Sequence, residues 1–275
     1  MDPLLAPQDL RRLPRPFILL DARPLAAFTS GHLPGARHTD PETVLSAAAE
    51  PGHDPARGGR HPLPAPAAWS RKLGELGIAP GVPVVLYDAA GGGNAAARGW
   101  WMLRASGHPD CAVLDGGLQA ALADGFELTE QVEAFAPWPP YPCTEWRLPL
   151  ASLEEVAERV GQASWKVLDV RSAERWRGET EPYDPVSGRI PGAGNLPYLE
   201  NLDAAGRFKS AAELRAMYLR FLDGLSPERL MVHCGSGVTA CHTLLALEVA
   251  GLPGAALYVG SWSEWCRSGR DIRRG

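Results

Sequence analysis

Short apolar runs, each closing on a polar residue, punctuate the whole chain. Phe17-Ile18-Leu19-Leu20 runs into Asp21, Val84-Val85-Leu86-Tyr87 into Asp88, Val113-Leu114 into Asp115, Val167-Leu168 into Asp169, and Leu230-Met231-Val232-His233 into Cys234. Runs this short and this uniformly apolar, without alternation, predict strands buried on both faces, as in a parallel sheet covered by helices. The stretches between them supply the helices. Ser152-x-x-Glu155 and Ser210-x-x-Glu213 stand in front of apolar positions at helical spacing and predict two capped helix starts. With strand and helix alternating throughout, the fold class is α/β, built on a mostly parallel sheet flanked by helices.

The pattern occurs twice. Gly31-His32-Leu33-Pro34-Gly35-Ala36 has its counterpart in Gly188-Arg189-Ile190-Pro191-Gly192-Ala193, and matching strand ends lie 148 positions apart from Asp21 to Asp169, 146 from Asp88 to Cys234 and 144 from Gly116 to Gly260. A period of that length means two copies of a whole domain rather than a solenoid of small repeats. Between the copies, Ala136-Pro137-Trp138-Pro139-Pro140-Tyr141-Pro142 is too rich in proline for a helix or a central strand and predicts a stiff connector. The expected organisation is a first domain over 1–134, a linker over 135–149 and a second domain over 150–275. Trp138, Tyr141 and Trp146 are expected to pack that linker onto a domain. The stretch from Thr39 to Pro66, rich in Gly, Pro and His, predicts a long surface excursion of the first half alone.

A length of 275 residues accommodates two such domains, and 45% hydrophobic with 21% charged residues is globular. The net charge of -5 argues against nucleic-acid or anionic-membrane partners. The five cysteines, Cys111, Cys143, Cys234, Cys241 and Cys266, are odd in number and show no C-x-x-C pairing, which predicts neither a disulfide framework nor a metal site. No leader pattern opens the sequence and no apolar stretch has the length of a membrane span, so a cytoplasmic chain is expected.

Chemistry concentrates at Cys234-Gly235-Ser236-Gly237-Val238-Thr239-Ala240. A buried strand, a glycine-rich turn and an Ala/Leu-rich helix place Cys234 at the carboxyl end of a strand, where open α/β sheets bind their ligands. The loop amides of Gly235, Gly237, Val238 and Thr239 and the helix start beyond them form an array of N–H donors that favours a docked anion and the thiolate of a cysteine. A structural buried cysteine is the competing reading, and the two glycines, which let backbone wrap an anion closely, weigh against it.

These residues resemble the tandem-domain rhodaneses. The resemblance rests on the cysteine loop, the two Gly-x-x-Pro-Gly-Ala segments, the Asp-x-Arg strand ends, Leu114-Asp115-Gly116-Gly117 and Gly260-Ser261-Trp262-Ser263-Glu264-Trp265, and runs from Phe17 to Trp265. The loop itself is similar to that of 3-mercaptopyruvate sulfurtransferases. The resemblance implies a catalytic second domain, a silent first domain with Asp88 in the cysteine's place, no cofactor, and sulfur transfer through a Cys234 persulfide to a thiol, cyanide or thioredoxin-like acceptor. It also implies a carboxylate-binding role for Arg177, with Ser236 beside the leaving enolate unless it is merely a small turn residue. Arg189 is either a further anion partner or a salt-bridge residue. The Glu-Pro-Arg element of the animal enzymes is Glu181-Pro182-Tyr183 here. His61 and Glu42 lie near where those enzymes place a histidine and an acid facing the site, Asp169 and Arg171 read as structural, and His233 as packed in the core.

Three alternatives bound this reading. Thiosulfate is the second candidate donor, although thiosulfate-type rhodaneses tend to carry cations in the loop where Gly235 and Ser236 are neutral. A cysteine-loop phosphatase requires Cys-x5-Arg, and the arginine position is Ala240. A non-catalytic sulfur-carrier or interaction module would have less use for an intact loop around Cys234. Cys241, about two helical turns beyond Cys234, is expected in the core, with an oxidation partner as the lesser alternative, and Cys266 is the better placed of the two for redox pairing.

Overall fold

The computed structural model describes residues 1–93 and 95–275. It divides into two compact units, one made of 1–47, 64–147 and 204–208, the other of 48–63, 148–203 and 209–275. Nine strands are described: β1 Leu4–Leu5, β2 Ile18–Asp21, β3 Ala36–His38, β4 Val84–Tyr87, β5 Cys111–Leu114, β6 Lys166–Asp169, β7 Gly194–Asn195, β8 Leu230–His233 and β9 Ala256–Leu257.

In the first unit the sheet order is β1-β5-β4-β2-β3, with every pairing parallel. In the second it is β9-β8-β6-β7, again parallel throughout. The two orders coincide strand for strand, and the Leu150–Leu257 bridge stands where Leu4 pairs with Val113 in β1 and β5. Every residue of β2, β4, β5 and β8 is buried, as the unbroken apolar runs require of strands covered on both faces. The second core gathers Val167, Ile190, Met231, Tyr258, Trp262 and Trp265 around β6 and β8.

Both expected capping boxes are present. Ser152 opens the helix Leu153–Arg159 and Ser210 the helix Ala211–Leu222, each exchanging hydrogen bonds with the glutamate three residues on. The linker lies on the first unit through backbone bonds from Trp138 to Gly74, Tyr141 to Ser70 and Arg147 to Ala105. Tyr141 is buried there and Trp146 meets the rings of Trp69 and Trp101, whereas the Trp138 ring stays exposed. No helix among the described residues is long and apolar enough to cross a membrane.

The excursion of the first half has an unexpected destination. Its part 48–63 belongs to the second unit, tied down where Gly58 N–H donates to Glu264 and Arg60 N–H to Ser263 Oγ. Gly59 makes that approach possible: its φ is +80°, and a Cβ there would sit 2.4 Å from the Gly260 carbonyl oxygen.

Candidate active site

Cys234 directly follows β8, and the helix Ala240–Val249 starts six residues later. The loop between them is held from outside. Cys234 N–H donates to Ser261 Oγ at 3.2 Å, the Cys234 carbonyl accepts from Trp262 N–H at 3.1 Å, and the Gly235 carbonyl accepts from Ser263 N–H at 2.9 Å. Gly237 is at φ +75° and a Cβ on it would lie 2.5 Å from the Val259 carbonyl, so only glycine fits this turn. With the loop's carbonyls taken up in this way, the N–H groups of Gly235, Ser236, Val238 and Thr239 donate to no acceptor among the described residues.

The first unit shows what such a loop does. Asp88, following β4, turns its carboxylate into its own loop and accepts from Ala90 and Gly92 on one oxygen (2.8 and 2.9 Å) and from Ala95 and Ala96 on the other (3.0 and 3.1 Å). One copy of the cradle is therefore filled by the protein's own anion. The other copy surrounds a thiol, and Cys234 is 3% exposed at its base.

Three groups surround the mouth. His61 Nδ1 is hydrogen bonded to Ser236 Oγ at 2.7 Å, so the histidine and the serine act as one polar unit. The guanidiniums of Arg175 and Arg60 approach Gly235 closely: a Cβ there would be 3.1 Å from Arg175 Nη2 and 3.2 Å from Arg60 Nη2. Each cation is anchored from behind, Arg175 by Glu181 at 2.7 Å and Arg60 by Asp184 at 3.2 Å, and both acids are almost entirely buried.

Beneath the loop lies a second ionic layer. Asp169 receives Arg171 through Nε and Nη2, and Arg171 reaches on to Glu181 and the Gly188 carbonyl. Burial alone would raise the Asp169 carboxyl, but the charge and hydrogen bonds of Arg171 outweigh it and hold it below the ordinary carboxylate value. His233 is fully buried. Burial lowers its imidazole, a shift opposed by Asp169 and aided by Arg171, and Nδ1 is bonded to the Cys234 carbonyl at 3.2 Å. A neutral packed histidine fits this geometry. Asp21 and Arg23 repeat the Asp169–Arg171 pair in the first unit, which fits a structural role.

Two arginines expected at the site are elsewhere. Arg177 is bound to Glu179 at 2.6 Å and lies near Glu174 on the exposed surface. It shares the one-turn helix Ala173–Arg177 with Arg175, and residues two apart on a helix face opposite ways. Of the two, Arg175 stands beside the loop and Arg177 does not. Arg189 packs its guanidinium 4.0 Å from the Trp176 ring centroid and donates to the Gly275 carbonyl at 2.5 Å, with Trp176 and Gly275 rather than the loop as its partners. Glu42 belongs to the first unit, where it lines a cavity of about 300 Å³ beside Asp88. Cys241 Sγ bonds to the Gly237 carbonyl, and burial, with Asp184 next, pushes the half-buried Cys266 thiol up.

Arg60, Arg175, Asp184 and Ser261 complete the surroundings and were not among the sequence candidates. Ser261 is the least expected, a buried residue at φ +54° whose hydroxyl accepts from Cys234 N–H and donates to the Tyr258 carbonyl. The equivalent place in the first copy, 144 positions earlier, is Gly117 at φ +60°, and that glycine was the one available signal.

A parallel α/β unit present twice in one chain, its central strand leading into an amide-lined loop that holds a cysteine in the second copy and an aspartate in the first, defines a two-domain cysteine-loop protein. The rhodanese-like domain model matches residues 6–124 and 152–268, and the chain belongs to the rhodanese family. It is 42% identical to a probable 3-mercaptopyruvate sulfurtransferase of Pseudomonas aeruginosa, over 86% of this chain and 82% of that one. It is 37% identical to a putative thiosulfate sulfurtransferase of Mycobacterium tuberculosis, over 87% and 82% of the two chains. Among solved structures, the 3-mercaptopyruvate sulfurtransferase of Leishmania major superposes with a TM-score of 0.81 at 29% identity, covering 95% of this chain and 73% of that one.

Proposed function

We propose that the protein is a sulfurtransferase that takes a sulfane sulfur from 3-mercaptopyruvate onto Cys234 and passes it to a thiol, cyanide or thioredoxin-like acceptor. The observation that carries this reading is the amide cradle around Cys234, with unpaired donors at Gly235, Ser236, Val238 and Thr239 where the Asp88 copy is self-filled.

Cys234 thiolate attacks the donor sulfur, a sulfur–sulfur bond forms, and the donor's carbon–sulfur bond breaks with its electron pair passing to carbon. The leaving group is the enolate of pyruvate, which takes up the proton that the donor's thiol releases, so that Cys234 is left as the persulfide anion. Ser236, hydrogen bonded to His61, is the group that donates to that oxygen and relays the proton. The persulfide left on Cys234 carries its negative charge into the loop amides. An acceptor thiolate then attacks the outer sulfur, and the Cys234 thiolate leaves, restoring the starting state. The chemistry is ping-pong and uses no resident cofactor.

Thiosulfate is the second reading, favoured by the two guanidiniums that bring positive charge to Gly235 from outside the loop. The experiment is mass spectrometry of the protein after exposure to each donor, with peptide mapping. The expected result is one added sulfur on Cys234 from 3-mercaptopyruvate, absent in Cys234→Ser, with faster loading than from thiosulfate. Loading from thiosulfate alone would reassign the donor, and loading from neither would refute sulfur transfer and favour an interaction module.

A further inference from the structure

The second unit contains a cavity of about 410 Å³ that the sulfur chemistry does not use. Arg57 and Gly58 of segment 48–63 wall it on one side, Leu153 and Glu154 of the helix Leu153–Arg159 on another, and Tyr258 and Glu264 close it. All of these residues belong to the second unit, and no residue of the cysteine loop lines the cavity.

Tyr258 marks this cavity as a site. The residue is 1% exposed, and its hydroxyl makes no hydrogen bond among the described residues. Burial pushes the phenol up and the charges of Glu264 and Glu154 push it further, so it keeps its proton. Both acids line the cavity, which turns the hydroxyl they act on toward it. A buried hydroxyl without a partner is rare and unfavourable in the protein alone, and a ligand that bonds to it removes the penalty.

The charges around the hydroxyl are of both signs. Glu264 Oε1 accepts from Gly58 N–H at 2.7 Å, while Oε2 folds back over Gly260, where a Cβ would collide with it, and accepts from no donor among the described residues. Glu154 stands 74% exposed, 4.0 Å from Arg270. The exposed Arg57 side chain makes no hydrogen bond or ion pair among the described residues. Leu153 and Val259 add apolar surface between these groups.

We propose that this cavity binds an apolar α-amino acid as its zwitterion. The ammonium donates to Glu264 Oε2 and Tyr258 Oη, the carboxylate pairs with Arg57, and the side chain covers Leu153 and Val259. A simple anion would meet two carboxylates and a simple cation would leave Arg57 unpaired, whereas a zwitterion answers both. The site stands apart from the sulfurtransferase reading. It does touch both partners of the Gly58–Glu264 bond, which ties down the segment that carries Arg60 and His61.

The test is titration calorimetry on the full-length protein with L-leucine, with 4-methylpentanoate, which lacks the ammonium, and with 3-methylbutylamine, which lacks the carboxylate. L-leucine is expected to bind at one site per chain with a Kd on the order of a millimolar or tighter, and each analogue at least about ten-fold more weakly. Tyr258→Phe removes only the unpartnered hydroxyl, so its melting temperature without ligand should equal or exceed that of wild type while its affinity for L-leucine falls about ten-fold. Arg57→Gln, a change on the exposed surface, should weaken L-leucine about three- to ten-fold and carries the comparison if Tyr258→Phe does not fold. A clearly lower melting temperature in a folded Tyr258→Phe would mean that the hydroxyl is already satisfied and would overturn the proposal. So would the absence of heat with about 10 millimolar L-leucine, undiminished binding in both variants, or an analogue that binds as tightly as L-leucine. Competition between L-leucine and the sulfur donor in turnover would place the amino acid at the cysteine loop and overturn it too. None of these results bears on sulfur loading of Cys234, which is measured separately.

Discussion

Removing the carboxylate of Asp88 is the most direct way to separate scaffold from chemistry. In Asp88→Ala four loop amides, those of Ala90, Gly92, Ala95 and Ala96, lose their acceptor at once. Hydrogen bonds to a charged group contribute ~1.5–3 kcal/mol each, so the four together have a gross value of about 6–12 kcal/mol. Most of that is recovered in the variant. Asp88 and Ala95 line a cavity of about 300 Å³, roomy enough for several waters to take over the amides, and the carboxylate no longer has to be desolvated. A net loss of about 2–4 kcal/mol remains, which at roughly 2–4 °C per kcal/mol lowers the melting temperature by about 4–16 °C. Turnover at Cys234, normalised to folded protein at a temperature well below the transition, should stay within about two-fold of wild type, because Asp88 and the four amides it holds belong to the first unit and Cys234 with its loop to the second. Thermal unfolding by circular dichroism and a sulfur-transfer assay on the same sample give both numbers. An unchanged melting temperature would mean that the carboxylate does not hold its loop, and a ten-fold fall in turnover would mean that the first copy takes part in catalysis.

Further outcomes can be checked on the second unit. Cys234→Ser should abolish turnover and donor-dependent sulfur gain together, since a hydroxyl does not accept a sulfane sulfur; turnover near wild type would place the nucleophile elsewhere. Gly237→Ala, forced to φ +75° with its Cβ 2.5 Å from the Val259 carbonyl, should lower stability by about 1–3 kcal/mol and impair turnover further by displacing the loop, both measurable in parallel melts and assays. His233 is held below its ordinary value, so the unfolded chain takes up a proton near pH ~6.5 that the folded protein refuses. Its contribution to stability is therefore complete above that pH and is lost as pH falls, by at most ~1.4 kcal/mol per pH unit. His233→Asn should reduce the slope of the melting temperature between about pH 6.5 and 5, leaving the contribution of His108, which burial also lowers. An undiminished slope would show that His233 already takes up the proton in the fold.

What was legible in the sequence was what is decided locally. β2, β4 and β8 are built on continuous apolar runs, and such runs have few places to go but the middle of a covered parallel sheet. The capping boxes at Ser152 and Ser210 involve residues three apart, and the position of Cys234 at the end of β8 follows from a strand meeting a glycine turn. The misplaced and overlooked residues depend on distant parts of the chain. Ser236 and His61 are 175 positions apart, and no local pattern states that segment 48–63 folds onto the loop after β8. Arg175 and Arg177 differ by only two positions on a single turn, and the choice between them is made by Glu181, which pins Arg175 inward while Glu179 draws Arg177 out. The tyrosine at position 183 looked like a missing cation. The cation beside it comes instead from residue 60, which only the folded chain reveals.

The adoption of residues 48–63 by the second unit decides how the molecule can be dissected. A fragment cut at the proline-rich connector would keep the nucleophile but forfeit His61 and Arg60, so the half with an aspartate in the cysteine's place cannot be discarded without stripping the other workshop of its tools.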